Sequence, residues 1–96
     1  MPAAYALLLV SLAAAPARPA QLGLCATCHG DDGCRGVREI PRLAAQNPEY
    51  LAAALNAYRG GGRDHAAMHA IAGALQPRDV EAFAQWYGAQ PGCAPR

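Results

Sequence analysis

The apolar run from Ala3 to Ala15 decides how little of this chain is left to fold. Its 13 residues are interrupted only by Ser11. That is short of the ~20 residues that span a bilayer, yet it matches the apolar core of a secretory leader. Ala15-Pro16-Ala17 resembles the small-residue cleavage site that follows such a core. No Lys or Arg precedes the run, so the terminal amine alone supplies the usual positive charge. An uncleaved anchor and a mis-assigned start are the competing readings. We expect a signal peptide over 1–17 and one domain over 18–96, with a cleavage site a few residues later as the variant. The roughly 79 residues that remain build a core of only marginal stability, so a domain of this size leans on disulfides, a metal or a large prosthetic group. No second hydrophobic segment follows, and no stable membrane span is expected after cleavage.

The formal charge is +1, and all eight basic residues are arginine. None of them clusters with aromatic residues, which leaves a nucleic-acid-binding surface without support. The pattern beyond the leader reads as all-α, with three helices around a loop-rich centre. A short helix over about Gln21 to Thr27 leads into a cysteine pair. Gly30, Gly33, Gly36 and Pro41 make the next stretch a loop as far as Gln46. Asn47 can cap a second helix, with Pro48 at its first position and Glu49 complementing the dipole. Leu51, Ala54, Leu55 and Tyr58 share one face of it, and Gly60-Gly61-Gly62 ends it. Gly62 to Ala67 reads as loop. A last helix runs from Pro77 to Tyr87, with Val80, Phe83, Ala84 and Tyr87 on one face and Trp86 at its edge.

Cys25-Ala26-Thr27-Cys28-His29 is a C-x-x-C-H sequence, the attachment signature of c-type haem. Two thiols three positions apart on one helical turn reach two neighbouring vinyl groups and form thioethers. The next residue then presents an imidazole to the iron from the same side. Other chemistries use similar residues. A thioredoxin-like pair needs a βαβ setting, which is not visible here. A structural Cys25–Cys28 disulfide is a further alternative. Zinc could use His65 and His69, at i and i+4, but Cys28 and His65 are spaced far wider than the ligands of a zinc finger.

A low-spin carrier needs a sixth ligand. Met1 leaves with the leader, so Met68 is the available thioether. A methionine is ordinarily a core filler; beside a haem motif, its uniqueness favours ligation. His65 and His69 flank it and offer bis-histidine coordination instead, or else sit solvated or hydrogen-bonded near a haem propionate. The two propionates move the holo-protein's charge slightly negative.

With these residues in place, the chain resembles the bacterial class I cytochromes c, in particular small periplasmic monohaem carriers. Cys25 to Gly33 (CATCHGDDG) is similar to their haem-binding start, and Ile40 to Gln46 (IPRLAAQ) to their I-P-x-L-A-x-Q segment. Tyr50-Leu51 and Tyr58-Arg59-Gly60-Gly61 resemble the central helix and its exit. Met68 to Ala72 with Leu75 resembles the distal-methionine segment. Asp79-Val80 and Trp86-Tyr87 resemble the last helix. The likeness covers about Leu24 to Tyr87 and makes 18–96 a cytochrome c domain. It implies that the Pro41 carbonyl accepts a hydrogen bond from the proximal histidine, tuning its basicity. It also implies a last helix that crosses the first. Two features depart from the pattern: the first helix is short, and Cys34 stands where the family commonly has a polar residue such as Asn.

Cys34 and Cys93 remain. An even remainder in an oxidising compartment suggests a disulfide that pins the C-terminal tail; free thiols, intermolecular pairing and a reactive Cys34 are the alternatives. The resulting expectation is a periplasmic protein that is not an enzyme and carries one electron on one covalent haem c. Cys25 and Cys28 attach it, His29 and Met68 ligate its iron, and Pro41 supports His29. Its partners would be a reductase or dehydrogenase and an oxidase. A tightly bound cytochrome subunit of a sulfur-compound dehydrogenase is the alternative, and a peroxidase-like site would require Met68 off the iron. Tyr50, Tyr58, Phe83, Trp86 and Tyr87 read as packing around the haem rather than as steps in an electron path.

Overall fold

A computed structural model describes residues 3–9, 14–36 and 39–95. Of the expected leader, residues 1, 2 and 10–13 lie outside the described residues, as do 37 and 38 of the loop. The remaining leader residues have no regular structure, and Tyr5, Leu7, Leu8 and Leu9 are almost fully exposed. The protein is all-α: four helices, α1 (Gly23–His29), α2 (Pro48–Gly60), α3 (Ala66–Gly73) and α4 (Pro77–Gly88), with no strand among the described residues. None is long and apolar enough to cross a membrane.

α1 starts two residues later than its composition suggests and runs through the whole C-x-x-C-H sequence. A tight turn at Pro19–Leu22 precedes it, and Gly30 at φ +82° ends it, a conformation that costs glycine little. The cysteines therefore belong to the helix itself. α2 is as expected: the Asn47 side chain accepts from the backbone N–H groups of Glu49 (2.8 Å) and Tyr50 (3.1 Å). Its end is a left-handed Gly61.

α3 corrects the sequence reading, in which the segment before Met68 was loop. Helix begins at Ala66, because the His65 ring nitrogen Nδ1 accepts the Met68 N–H at 3.2 Å. Histidine is an unusual cap, so the usual Ser/Thr/Asp/Asn signal is missing. α4 opens with the Asp79 carboxylate accepting the Gln76 N–H at 2.9 Å. Val80, Phe83, Ala84 and Tyr87 form its buried stripe, and Trp86 is half-buried beside it.

The core gathers Leu22 and Cys25 from the first segment, Leu51 from α2, Leu75 from the α3–α4 turn, and the α4 stripe. At about 1.5–3 kcal/mol per large side chain, this is a thin core. Tyr87 extends its reach: its hydroxyl donates to the Gly30 carbonyl at 2.9 Å, and its own carbonyl accepts the Ala45 N–H. Trp86 Nε1 donates to the Asp31 carbonyl at 2.7 Å. α4 is thus hydrogen-bonded to the end of α1 and to the loop that follows.

A disulfide joins Cys34 to Cys93 with Cα atoms 5.5 Å apart, so of the alternatives for these cysteines the structure takes the intramolecular bond. In the chain-entropy picture a closed loop of this length contributes about 4 kcal/mol. We expect a Cys34→Ser/Cys93→Ser double variant to lose a sizeable part of that in urea unfolding. Gly33 is a second tight point. At φ +76° a Cβ there would sit 2.7 Å from the Ala44 nitrogen and 2.9 Å from Tyr87 Cδ1. Gly33→Ala should therefore cost about 1–3 kcal/mol in the same measurement.

Candidate functional site

The helical geometry of α1 puts Cys25 and Cys28 one turn apart, so both side chains leave the same side of the helix. Both thiols are free; Cys25 is buried and Cys28 exposed. Burial pushes the Cys25 thiol up to about 11, which keeps it protonated at neutral pH. His29, the last residue of α1, is buried. Its Nδ1 lies 2.9 Å from the Pro41 carbonyl oxygen. A carbonyl only accepts, so Nδ1 carries the proton and donates. In the neutral ring this leaves Nε2 as the nitrogen with the free lone pair, the form in which imidazole binds a metal.

These three residues open on a cavity of about 380 Å³. Leu43, Leu51, Leu55, Ile71 and Phe83 make its walls largely apolar. Met68, half-buried in the first turn of α3, lines the same cavity. Its backbone N–H is held by His65, so the cap that starts α3 also fixes the residue that carries the thioether. Tyr58 closes one end with the Arg63 guanidinium 4.5 Å above its ring.

The other sequence candidates separate. His65 reaches the cavity wall, but its Nδ1 lone pair is engaged as the α3 cap. His69 does not line the cavity; its Nδ1 donates to the Tyr58 carbonyl at 2.7 Å. Among the described residues no three His, Cys, Asp or Glu side chains are grouped to hold a metal ion, so the zinc reading has no geometry behind it. Met1 lies outside the described residues. Of the aromatic residues, Tyr50, Tyr58, Phe83 and Tyr87 line the cavity and Trp86 does not. Burial raises the Tyr87 phenol well above its ordinary range, so it stays a neutral donor to Gly30. Sequence reasoning missed Arg42, which lines the cavity with a buried Nε that has no hydrogen-bond partner among the described residues.

A helix-borne thiol pair and an imidazole thus open, together with a thioether, on one apolar cavity. No family model matches the chain. Over 74 residues it is 36% identical to cytochrome c-554(548) of Halomonas halodenitrificans, a match covering 73% of this chain and 88% of that protein. It is 37% identical over 76 residues to a thiosulfate dehydrogenase electron acceptor of Stutzerimonas stutzeri, 78% of this chain but 35% of that protein. A cytochrome subunit of sulfide dehydrogenase from Chlorobaculum tepidum is 31% identical over 64 residues, 67% of this chain and 57% of the subunit. The chain thus spans about a third of the Stutzerimonas protein and somewhat over half of the Chlorobaculum one. It belongs to the cytochromes c. Haem c is the cofactor this implies, and electron transfer the role.

The residues fit that cofactor. Left unfilled, this cavity keeps the large apolar side chains that line it facing water, each forgoing up to about 1.5–3 kcal/mol of burial. The whole stability of a domain this long is of order 5–15 kcal/mol. The occupant of the cavity is therefore a structural part of the core. Unmatured protein, lacking haem, should be largely unfolded by circular dichroism; a cooperative, helical melt of haem-free protein would contradict this.

Proposed function

We propose that the chain is a periplasmic one-electron carrier holding a single haem c. Cys25 and Cys28 attach it by thioethers, and His29 Nε2 and the Met68 sulfur are the axial ligands. The observation that carries this reading is that all four side chains line one apolar cavity. A single C-x-x-C-H sequence supports one haem. The haem supplies an iron that cycles between two oxidation states. The protein's part is to hold that iron rigidly, exclude water from it, and leave it no open position. His/Met ligation does the last of these and raises the reduction potential, which favours electron transfer over catalysis. The Pro41 carbonyl keeps the His29 ring oriented and basic.

Leu24 and Tyr50 line the cavity yet are 47% and 55% exposed. They mark its mouth, where a partner can approach for outer-sphere transfer. The names of the relatives make a dehydrogenase acting on a sulfur compound the proposed donor, with an oxidase as the onward acceptor. Residues 1–17 are proposed to direct export and to be removed, in keeping with haem attachment outside the cytoplasm. The name of the Chlorobaculum relative favours a second reading, a cytochrome subunit held tightly by its dehydrogenase. Native mass distinguishes the two, since a carrier purifies alone and a subunit with its enzyme.

The test is visible spectroscopy of protein matured with a haem-attachment system. Haem should survive denaturation on the chain and give a low-spin spectrum with a methionine-to-ferric-iron band. In Met68→Ala that band should vanish, the potential should fall, and the reduced protein should bind carbon monoxide. Haem that washes out, or an unchanged spectrum in the variant, refutes the assignment.

A further inference from the structure

We infer that the C-terminal tail is a thiol-releasable strap on the loop that carries Pro41, so that the oxidation state of Cys34 and Cys93 sets how firmly His29 is held. This rests on the haem reading above and goes beyond it, because neither of these cysteines attaches the haem or ligates its iron. The loop runs from Cys34 to Arg42 and is closed at its base by the Leu43 N–H, which donates to the Gly33 carbonyl at 2.9 Å. Among the described residues, none from 34 to 42 takes part in a backbone–backbone hydrogen bond. A segment so poor in internal bonds opens easily unless something outside it holds it. Yet it supplies, at Pro41, the carbonyl that orients His29.

What holds it comes from the tail. Cys93 is bonded to Cys34 at the first residue of the loop, and the Ala94 carbonyl accepts from Arg42 Nη1 at its last, 3.0 Å away. Two neighbouring tail residues thus pin both ends of the loop. The tail depends on the disulfide in turn. Beyond Gln90, the Arg42–Ala94 hydrogen bond is the only one the tail makes among the described residues, and Pro91 and Pro95 have no N–H to offer. One such bond, worth about 0.5–1.5 kcal/mol net, does not offset the chain entropy of an opened tail. Both cysteines are half-buried, so a thiolate can reach them. Once Cys25 and Cys28 are thioethers, this pair is the thiol chemistry left to the chain. A protein dithiol opens it by exchange: one thiolate attacks a sulfur of the bond, and the second thiol resolves the mixed disulfide. Two electrons and two protons pass to Cys34 and Cys93, and the dithiol becomes a disulfide. The freed loop then loosens the Pro41 carbonyl from the His29 Nδ1–H. A less basic imidazole stabilises ferric iron less, so the reduction potential rises.

The experiment compares matured protein before and after incubation with thioredoxin and its reductant, the released thiols being capped with N-ethylmaleimide and located by mass. The reduction potential is then measured, together with the exchange of the His29 Nδ1 proton by NMR of the ferrous protein. Folded protein should be capped at Cys34 and Cys93. Its reduction equilibrium should move toward the ferrous form by about threefold to tenfold, tenfold being about 59 mV for one electron. The Nδ1 proton should exchange at least about tenfold faster relative to the backbone amides of α2. Cys34→Ser/Cys93→Ser should reproduce both changes and not respond to the dithiol; if it matures poorly, the capped wild type still decides. A bond that adds only stability would speed the α2 amides and the Nδ1 proton by the same factor and leave the potential in place. That result overturns the proposal with the haem reading intact, and so does a folded protein whose disulfide the dithiol fails to open. Wild-type protein that takes up no covalent haem overturns both readings together.

Discussion

The hydrogen bond from the Tyr87 hydroxyl to the Gly30 carbonyl closes this fold where its first helix is too short to close it. Seven residues of α1 offer little surface for a helix-on-helix crossing, and most of what they have is committed to the two cysteines and the histidine. α4 substitutes directed contacts for area: Tyr87 to Gly30, Trp86 to Asp31, and Ala45 back to Tyr87. Gly33 has no side chain because Tyr87 and the Ala44 backbone already occupy that space. A phenol that burial keeps neutral suits this position, since it remains a donor wherever the backbone carbonyl waits.

From this clasp the site follows outward. The residues after Gly30 are brought back along α1 so that the Pro41 carbonyl meets His29, and α2 starts immediately beyond at a well-capped Asn47. α2 and α3 then complete the cavity wall, with Met68 in the first turn of α3. The cofactor completes a core that the side chains leave open. In this small domain, binding and folding draw on the same apolar contacts.

Much of this was legible in the residues. The all-α class, the Asn47-Pro48 start and Gly61 end of α2, and the stripe of α4 follow from capping chemistry and periodicity. α3 did not, because its cap is a histidine whose role depends on a tautomer that no sequence pattern records. The start of α1 was misplaced for a related reason: Leu22 offers no capping side chain, so the boundary is set by the turn before it. Arg42 had no signal at all. Its buried nitrogen without a partner among the described residues exists only once the loop, the tail and the cavity are brought together.

The Cys34–Cys93 bond also bears on how the molecule is made. Four cysteines share one short chain, and only Cys34 and Cys93 end as a disulfide. On the proposed reading, Cys25 and Cys28 must still be thiols when the porphyrin arrives, because a sulfur already joined to sulfur cannot add to a vinyl group. Cys28 and Cys34 are close in sequence, whereas Cys93 lies 59 residues beyond Cys34. Local pairing would therefore outrun the native bond and block attachment. What attachment needs is that the near pair be thiols at that moment, while the distant pair can already be joined, as the structure shows. On that reading the compartment has to keep one pair reduced and let the other oxidise.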